Sequence, residues 1–135
     1  MSTADRVFLD TNILIYAFSD DVLKAPKSAA LLESGGIISV QVLNEFASAS
    51  RGKHKQPWPQ LQSSIATIRA LVVVVPLTTD THDFGLYIAE RYQLSIYDSM
   101  IVAAAQLAGC KTLYSEDMHD GLVIDGLKIV NPYST

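Results

Sequence analysis

The stretch Val7-Phe8-Leu9-Asp10-Thr11-Asn12-Ile13-Leu14-Ile15-Tyr16 runs an apolar β-type segment into an acid, two polar residues and a second apolar run. Large apolar residues in succession suit a buried strand, and the polar triplet after them marks a strand-to-helix turn. Further β-type runs at Ile37 to Val40, Leu71 to Val75, Thr112 to Tyr114 and Lys128 to Val130 are separated by segments with helical spacing. Strands alternating with helices predict an α/β fold on a parallel sheet. One helix is read at Gln41 to Ser50. A second carries Trp58, Leu61, Ile65 and Ile68 on one face, its start favoured by Pro57 and Pro59. Phe84 to Tyr92 and Ile96 to Ala108 are two more, the last apolar nearly all round and ended by Gly109.

The chain has 135 residues, which fits one domain spanning 1–135 and no second one. Its composition, 49% hydrophobic and 18% charged, predicts a folded core rather than a solvated chain. The single cysteine, Cys110, excludes an internal disulfide and suits a small buried side chain in a reducing, cytoplasmic compartment. Met1 to Arg6 is polar and leads into only three apolar residues, so neither a signal peptide nor a membrane span is expected. The net charge of −4 gives no general pull on nucleic acid. Locally, Arg51, Lys53, His54 and Lys55 cluster beside Trp58. Arg51, Lys53 and Lys55 are candidates for touching a phosphate backbone, although cations at a helix end also suit its dipole.

Four acids stand in or just after apolar segments: Asp10, Glu45, Asp98 and Asp117. Asp10 and Asp117 follow strands, where open α/β sheets place their ligand crevice. Asp10 is equally suited to cap the helix after it. Glu45 forms a polar stripe with Gln41, Asn44 and Ser48 that water alone would explain. Asp98 is followed one turn on by apolar Ile101 and Val102, while Ser95 is already available as a cap, so its charge is harder to dismiss. Glu116 and Asp120 flank Asp117 and suit a solvated loop. Carboxylates gathered by folding repel one another unless a cation or hydrogen bonds hold them ionised, which suggests a divalent-metal site. His54, His82 and His119 lack paired metal-ligand spacing, and there is no Gly-rich phosphate loop or nucleophile elbow.

The set Leu9-Asp10-Thr11-Asn12, Asn44-Glu45-Phe46, Tyr97-Asp98-Ser99 and Ser115-Glu116-Asp117 resembles the PIN domain family in its bacterial VapC-type toxin branch, across the whole chain. The resemblance implies a three-layer α/β/α sandwich and an endoribonuclease dependent on one or two Mg2+ or Mn2+ ions. It also implies a homodimer held inactive by a cognate VapB-type antitoxin. Carried over, Asp10, Glu45, Asp98 and Asp117 are the catalytic, metal-binding acids, with Thr11, Asn12 and Ser115 as polar support. Glu116 and Asp120 crowd the fourth position as rivals for the metal.

Two other α/β domains with acids at strand ends fit less well. A phosphoacceptor receiver needs an acid closing the middle strand and a late lysine, whereas Val75 is followed by Pro76-Leu77-Thr78 and Tyr114 by Ser115-Glu116. An aspartyl-phosphate phosphatase needs a second acid two places after Asp10, where Asn12 stands. An inactive binding module is the remaining alternative.

Overall fold

The computed structural model describes residues 6–134; Met1 to Asp5 and Thr135, counted above in the domain and in the polar lead-in, lie outside them. The elements are β1 (Val7–Leu9), α1 (Thr11–Ala17), α2 (Lys24–Glu33), β2 (Ile37–Ser39), α3 (Val40–Arg51), α4 (Trp58–Leu71), β3 (Val73–Val75), α5 (Thr79–Tyr92), α6 (Ile96–Leu107), β4 (Thr112–Tyr114), β5 (Val123–Ile124) and β6 (Leu127–Val130). The sheet order is β3-β2-β1-β4-β6-β5. Helices α5 and α6 pack on each other, while α1 contacts α2 and α3, and α4 contacts α2 and α3. Two helical layers thus enclose the sheet, as a three-layer α/β/α fold requires.

The expected parallel sheet is present, with one antiparallel strand added at its edge. Strands β1, β2, β3, β4 and β6 pair in parallel, but β5 pairs antiparallel to β6 at the edge. Only Asp125 (φ 45°) and Gly126 (φ 87°) separate β5 from β6, and so short a link admits nothing but a hairpin. Helix boundaries also shift. Val40 opens α3 instead of closing β2, because the Ser39 hydroxyl accepts from the Val42 N–H at 3.4 Å and caps the helix there. Leu71 ends α4 rather than starting β3. Helix α5 begins before Phe84, at a capping box between Thr78 and Thr81. Helix α6 stops at Leu107, with Ala108 as its cap.

The core joins Phe8 and Leu9 of β1, Ile38 of β2, Phe46 of α3, Ile68 of α4, Ile88 of α5 and Leu113 of β4. Every residue from Ser99 to Ala105 is buried, which fits the all-round apolar reading of α6. Its contact with α5 is tight at Gly85, where an added Cβ would lie 2.5 Å from Met100 Sδ and 3.0 Å from Met100 Cε. Gly85→Val is therefore expected to lower stability by about 1–3 kcal/mol through overpacking. A denaturation midpoint equal to that of the wild type would show that α5 and α6 can separate at no cost. Cys110 is buried, and burial pushes its thiol up to about 11, as suits an unreactive packing residue. Among the described residues no helix is long and apolar enough to cross a membrane.

Candidate functional site

Strand β1 ends at Asp10 and its parallel neighbour β4 ends at Ser115, with the Asp10 N–H bonded to Tyr114 O at 3.0 Å. From β1 the chain proceeds to β2 and β3 on one side, and β4 fills the other. The crevice at this reversal is where open α/β sheets bind ligands.

Asp10 is 3% exposed and does two jobs. One carboxylate oxygen caps α1, accepting from the Thr11 N–H at 2.7 Å. The other accepts from Ser115 Oγ at 2.6 Å and from Asn12 Nδ2 at 3.3 Å. The carboxylate thus caps α1 with one oxygen and ties the two strand ends together with the other. Asn12 joins the two strand ends: its Nδ2 also lies 3.1 Å from Asp117 Oδ2 and 3.4 Å from Ser115 Oγ, and its Oδ1 accepts from the Glu116 N–H at 3.1 Å. The Asp117 N–H closes the turn by donating to Ser115 Oγ at 3.1 Å.

Helix α3 brings Glu45, whose Oε1 accepts from Thr11 Oγ1 at 3.0 Å and whose Oε2 accepts from Gln41 Nε2 at 2.9 Å. Gln41 Nε2 also donates to Tyr97 O at 2.9 Å, tying α3 to the first turn of α6, which carries Asp98. The stripe expected to face water is thus divided. Asn44 and Ser48 are exposed, whereas Gln41 is buried and Glu45 half-buried, because they meet polar partners and not solvent. Gln41 and the Tyr97 carbonyl are parts of the site that spacing alone does not reveal.

The acids feel one another's charge. Burial is the main cause pushing the Asp10 carboxyl up from 3.8 to about 6; hydrogen bonds from Ser115 and Thr11 oppose it, and the charges of Asp98 and Glu45 add to it. Asp98 is also raised, chiefly by burial and further by Glu45 and Asp117, against a hydrogen bond with Ser95. Among the described residues no salt bridge neutralises any of the four. Nor, among those residues, do any three His, Cys, Asp or Glu side chains stand close enough to hold an ion directly. Glu45 and Asp117 line one cleft, while Asp10 lies buried beneath its Thr11–Asn12 wall and Asp98 stands in the first turn of α6.

A cleft of about 410 Å3 opens over this network, lined by Thr11, Asn12, Tyr16, Glu45, Asp117 and, at its basic wall, Lys53 and His54. Of the other basic candidates, Lys55 lines an adjoining cavity of about 300 Å3. Arg51 is engaged within the fold: its guanidinium donates to Gln56 O at 2.8 Å and lies 4.2 Å from the Trp58 ring centroid. The two rivals of Asp117 are occupied elsewhere. Asp120 Oδ1 accepts from the Asn131 N–H at 2.8 Å, and Glu116 is ion-paired with Lys24.

Residues 7–119 match the family model described as PIN domain, and they hold every one of the four acids. This chain belongs to the PIN domain family. Solved structures agree on its fold. This PIN domain superposes on a toxin-antitoxin complex from Klebsiella pneumoniae with a TM-score of 0.72 at 23% identity, covering 96% of this chain and 99% of that one. It also matches Mycobacterium tuberculosis VapC20, a Sarcin-Ricin loop cleaving toxin (TM-score 0.67, 19% identity, 82% of this chain and 89% of that one). A third match is VapBC2 from Rickettsia felis bound to a promoter DNA fragment (TM-score 0.67, 21% identity, 91% and 96%). At these identities the likeness shows the architecture this PIN domain shares. No curated protein matches the sequence.

Proposed function

We propose that this PIN domain is a metal-dependent endoribonuclease, the toxin of a VapBC-type toxin-antitoxin pair, which hydrolyses RNA phosphodiester bonds in the cytoplasm. The observation that carries the reading is that Asp10, Glu45 and Asp117, from three separate segments, are hydrogen-bonded to one Thr11–Asn12 turn, while Asp98, on a fourth, is near enough for its charge to raise Asp10. Their donor set is carboxylate oxygen, which fits Mg2+ or Mn2+, ions that are commonly held by one or two carboxylates and keep several of their waters. One or two such ions, when bound, would lower the pKa of a water for attack at phosphorus and offset charge on the leaving oxygen. The chain's own residues prepare the place. Ser115 and Thr11 fix both oxygens of Asp10, Gln41 and Thr11 fix those of Glu45, and Asn12 holds Asp117 at hydrogen-bond distance from its own amide. Lys53 and His54 on the cleft wall are placed to meet the substrate backbone, with Lys55 one step further along.

The partners follow from the same reading. Two of the solved structures that resemble this chain are VapBC assemblies with DNA, from Rickettsia felis and Salmonella typhimurium, which supports a VapB-type antitoxin as the partner here. Exposed Ile96 and Tyr97 at the start of α6, with Leu86 and Tyr87 on α5, offer apolar surface for a homodimer.

The test is cleavage of a mixed RNA pool by the wild type and Asp98→Asn, each with magnesium and with chelator. Cleavage by the wild type with magnesium alone is expected, with Asp98→Asn slower by at least ~100-fold. Equal cutting by both proteins, or indifference to chelator, would overturn the metal mechanism, and no cutting by the wild type would leave an RNA- or protein-binding module as the better description.

A further inference from the structure

Lys24, the first residue of α2, reaches the turn after β4 and forms an ion pair with Glu116. Its ammonium also donates to Tyr16 Oη at 3.2 Å and lies 4.6 Å from the Tyr16 ring centroid and 5.3 Å from that of Tyr133. The two rings meet edge-on at 5.3 Å, and Tyr133 Oη shares a 2.5 Å hydrogen bond with Ser28 Oγ of α2. A long lysine side chain is thus held from several sides, at a cost in rotamer freedom, while a partly exposed ion pair contributes little to stability. The arrangement suits positioning better than stabilisation.

What it positions is one bond away from the acids. The Glu116 N–H donates to Asn12 Oδ1, and that bond sets which way the Asn12 amide faces. With Oδ1 so engaged, Nδ2 is turned to Asp10 and Asp117, which accept from it. Glu116 itself lines the cleft beside Asp117, so without a counter-charge its carboxylate would add to the repulsion there.

We propose that Lys24 is a positioning residue for the acidic site, drawing the Glu116 carboxylate aside and so fixing Asn12 and Asp117. Asp117, not Glu116, is then the fourth acid of the centre. The inference rests on the metal-site reading above and adds to it a residue from outside the PIN motif segments.

Mn2+ affinity, measured by titration calorimetry on the full chain, tests it independently of RNA cleavage. Lys24→Met is expected to weaken Mn2+ binding by ~10-fold or more, as loss of a residue orienting metal ligands does, and Lys24→Arg to stay within ~3-fold of wild type. Adding Glu116→Gln to Lys24→Met should recover part of the loss, because it removes the charge that Lys24 holds aside. Unchanged affinity in Lys24→Met, or a double variant weaker than Lys24→Met by the full effect of Glu116→Gln alone, overturns the proposal. If Lys24→Met fails to fold, Tyr16→Phe carries the test. It deletes the hydroxyl that accepts from Lys24 and keeps the ring, so unchanged Mn2+ affinity there has the same force. A wild type that binds no Mn2+ overturns the metal reading itself, and this inference with it.

Discussion

Asp10→Asn is expected to slow RNA cleavage by at least ~100-fold and, in metal-free buffer, to gain stability relative to the wild type as pH rises. The two effects have one origin. Asp10 is nearly inaccessible to water, and burial with the charges of Asp98 and Glu45 lifts its carboxyl to about 6. A folded-state value above the unfolded value of 3.8 means that folding favours the protonated acid. The stability this contributes is fully present below about pH 4 and is lost as pH rises through 6. At pH 8 the wild type must therefore bury a carboxylate that no cation neutralises, whereas asparagine is uncharged at every pH. One pKa unit corresponds to about 1.4 kcal/mol, so the advantage of the variant should grow by about 2–3 kcal/mol between pH 4 and pH 7 and then level off. Denaturation midpoints of both proteins across that range decide it. A constant difference would mean that Asp10 is not held in the environment described. The predicted exchange of stability for activity follows from confining like charges where the proposed cation would bind.

Phe46→Ala is expected to cost about 3–5 kcal/mol, the usual range for emptying a buried aromatic site. Phe46 is 1% exposed, contacts Phe18 at a ring separation of 5.8 Å and sits directly after Glu45 in α3. Domains of this size are commonly stable by only about 5–15 kcal/mol, so the change removes a large share of the total. Guanidinium denaturation should show a lower midpoint at an unchanged slope. A loss of less than about 1 kcal/mol would require α3 to collapse onto the space, which would also carry Glu45 away from Thr11.

Much of the layout was readable because each principal strand is an apolar run bounded by polar residues, and because α6 is apolar nearly throughout. Helix α2 was not readable: Pro26 falls in its first turn, and only Ser28 and Leu32 are buried, too sparse a stripe to announce a helix. Strand β5 is two residues long and gives no period, although Asp125-Gly126 between Ile124 and Leu127 is the signal of a tight hairpin. Asp10 and Asp117 could be located because strand ends predict a crevice. Glu45 was harder, since helical spacing of polar side chains cannot distinguish a face turned to water from one turned to other polar groups. The choice among Glu116, Asp117 and Asp120 depends on Lys24 and on the Asn131 N–H. Lys24 is remote in sequence from the acid it holds, so nothing local reveals the pairing.

The place of β4 in the sheet bears on when the protein can act. It is synthesised after β1, β2 and β3, yet it lies between β1 and β6, and the turn that leaves it brings Ser115 and Asp117 to Asp10. A nascent chain still lacking that segment has only part of the acidic centre. Nothing that needs all four acids can therefore occur there until this segment has emerged and threaded between β1 and β6.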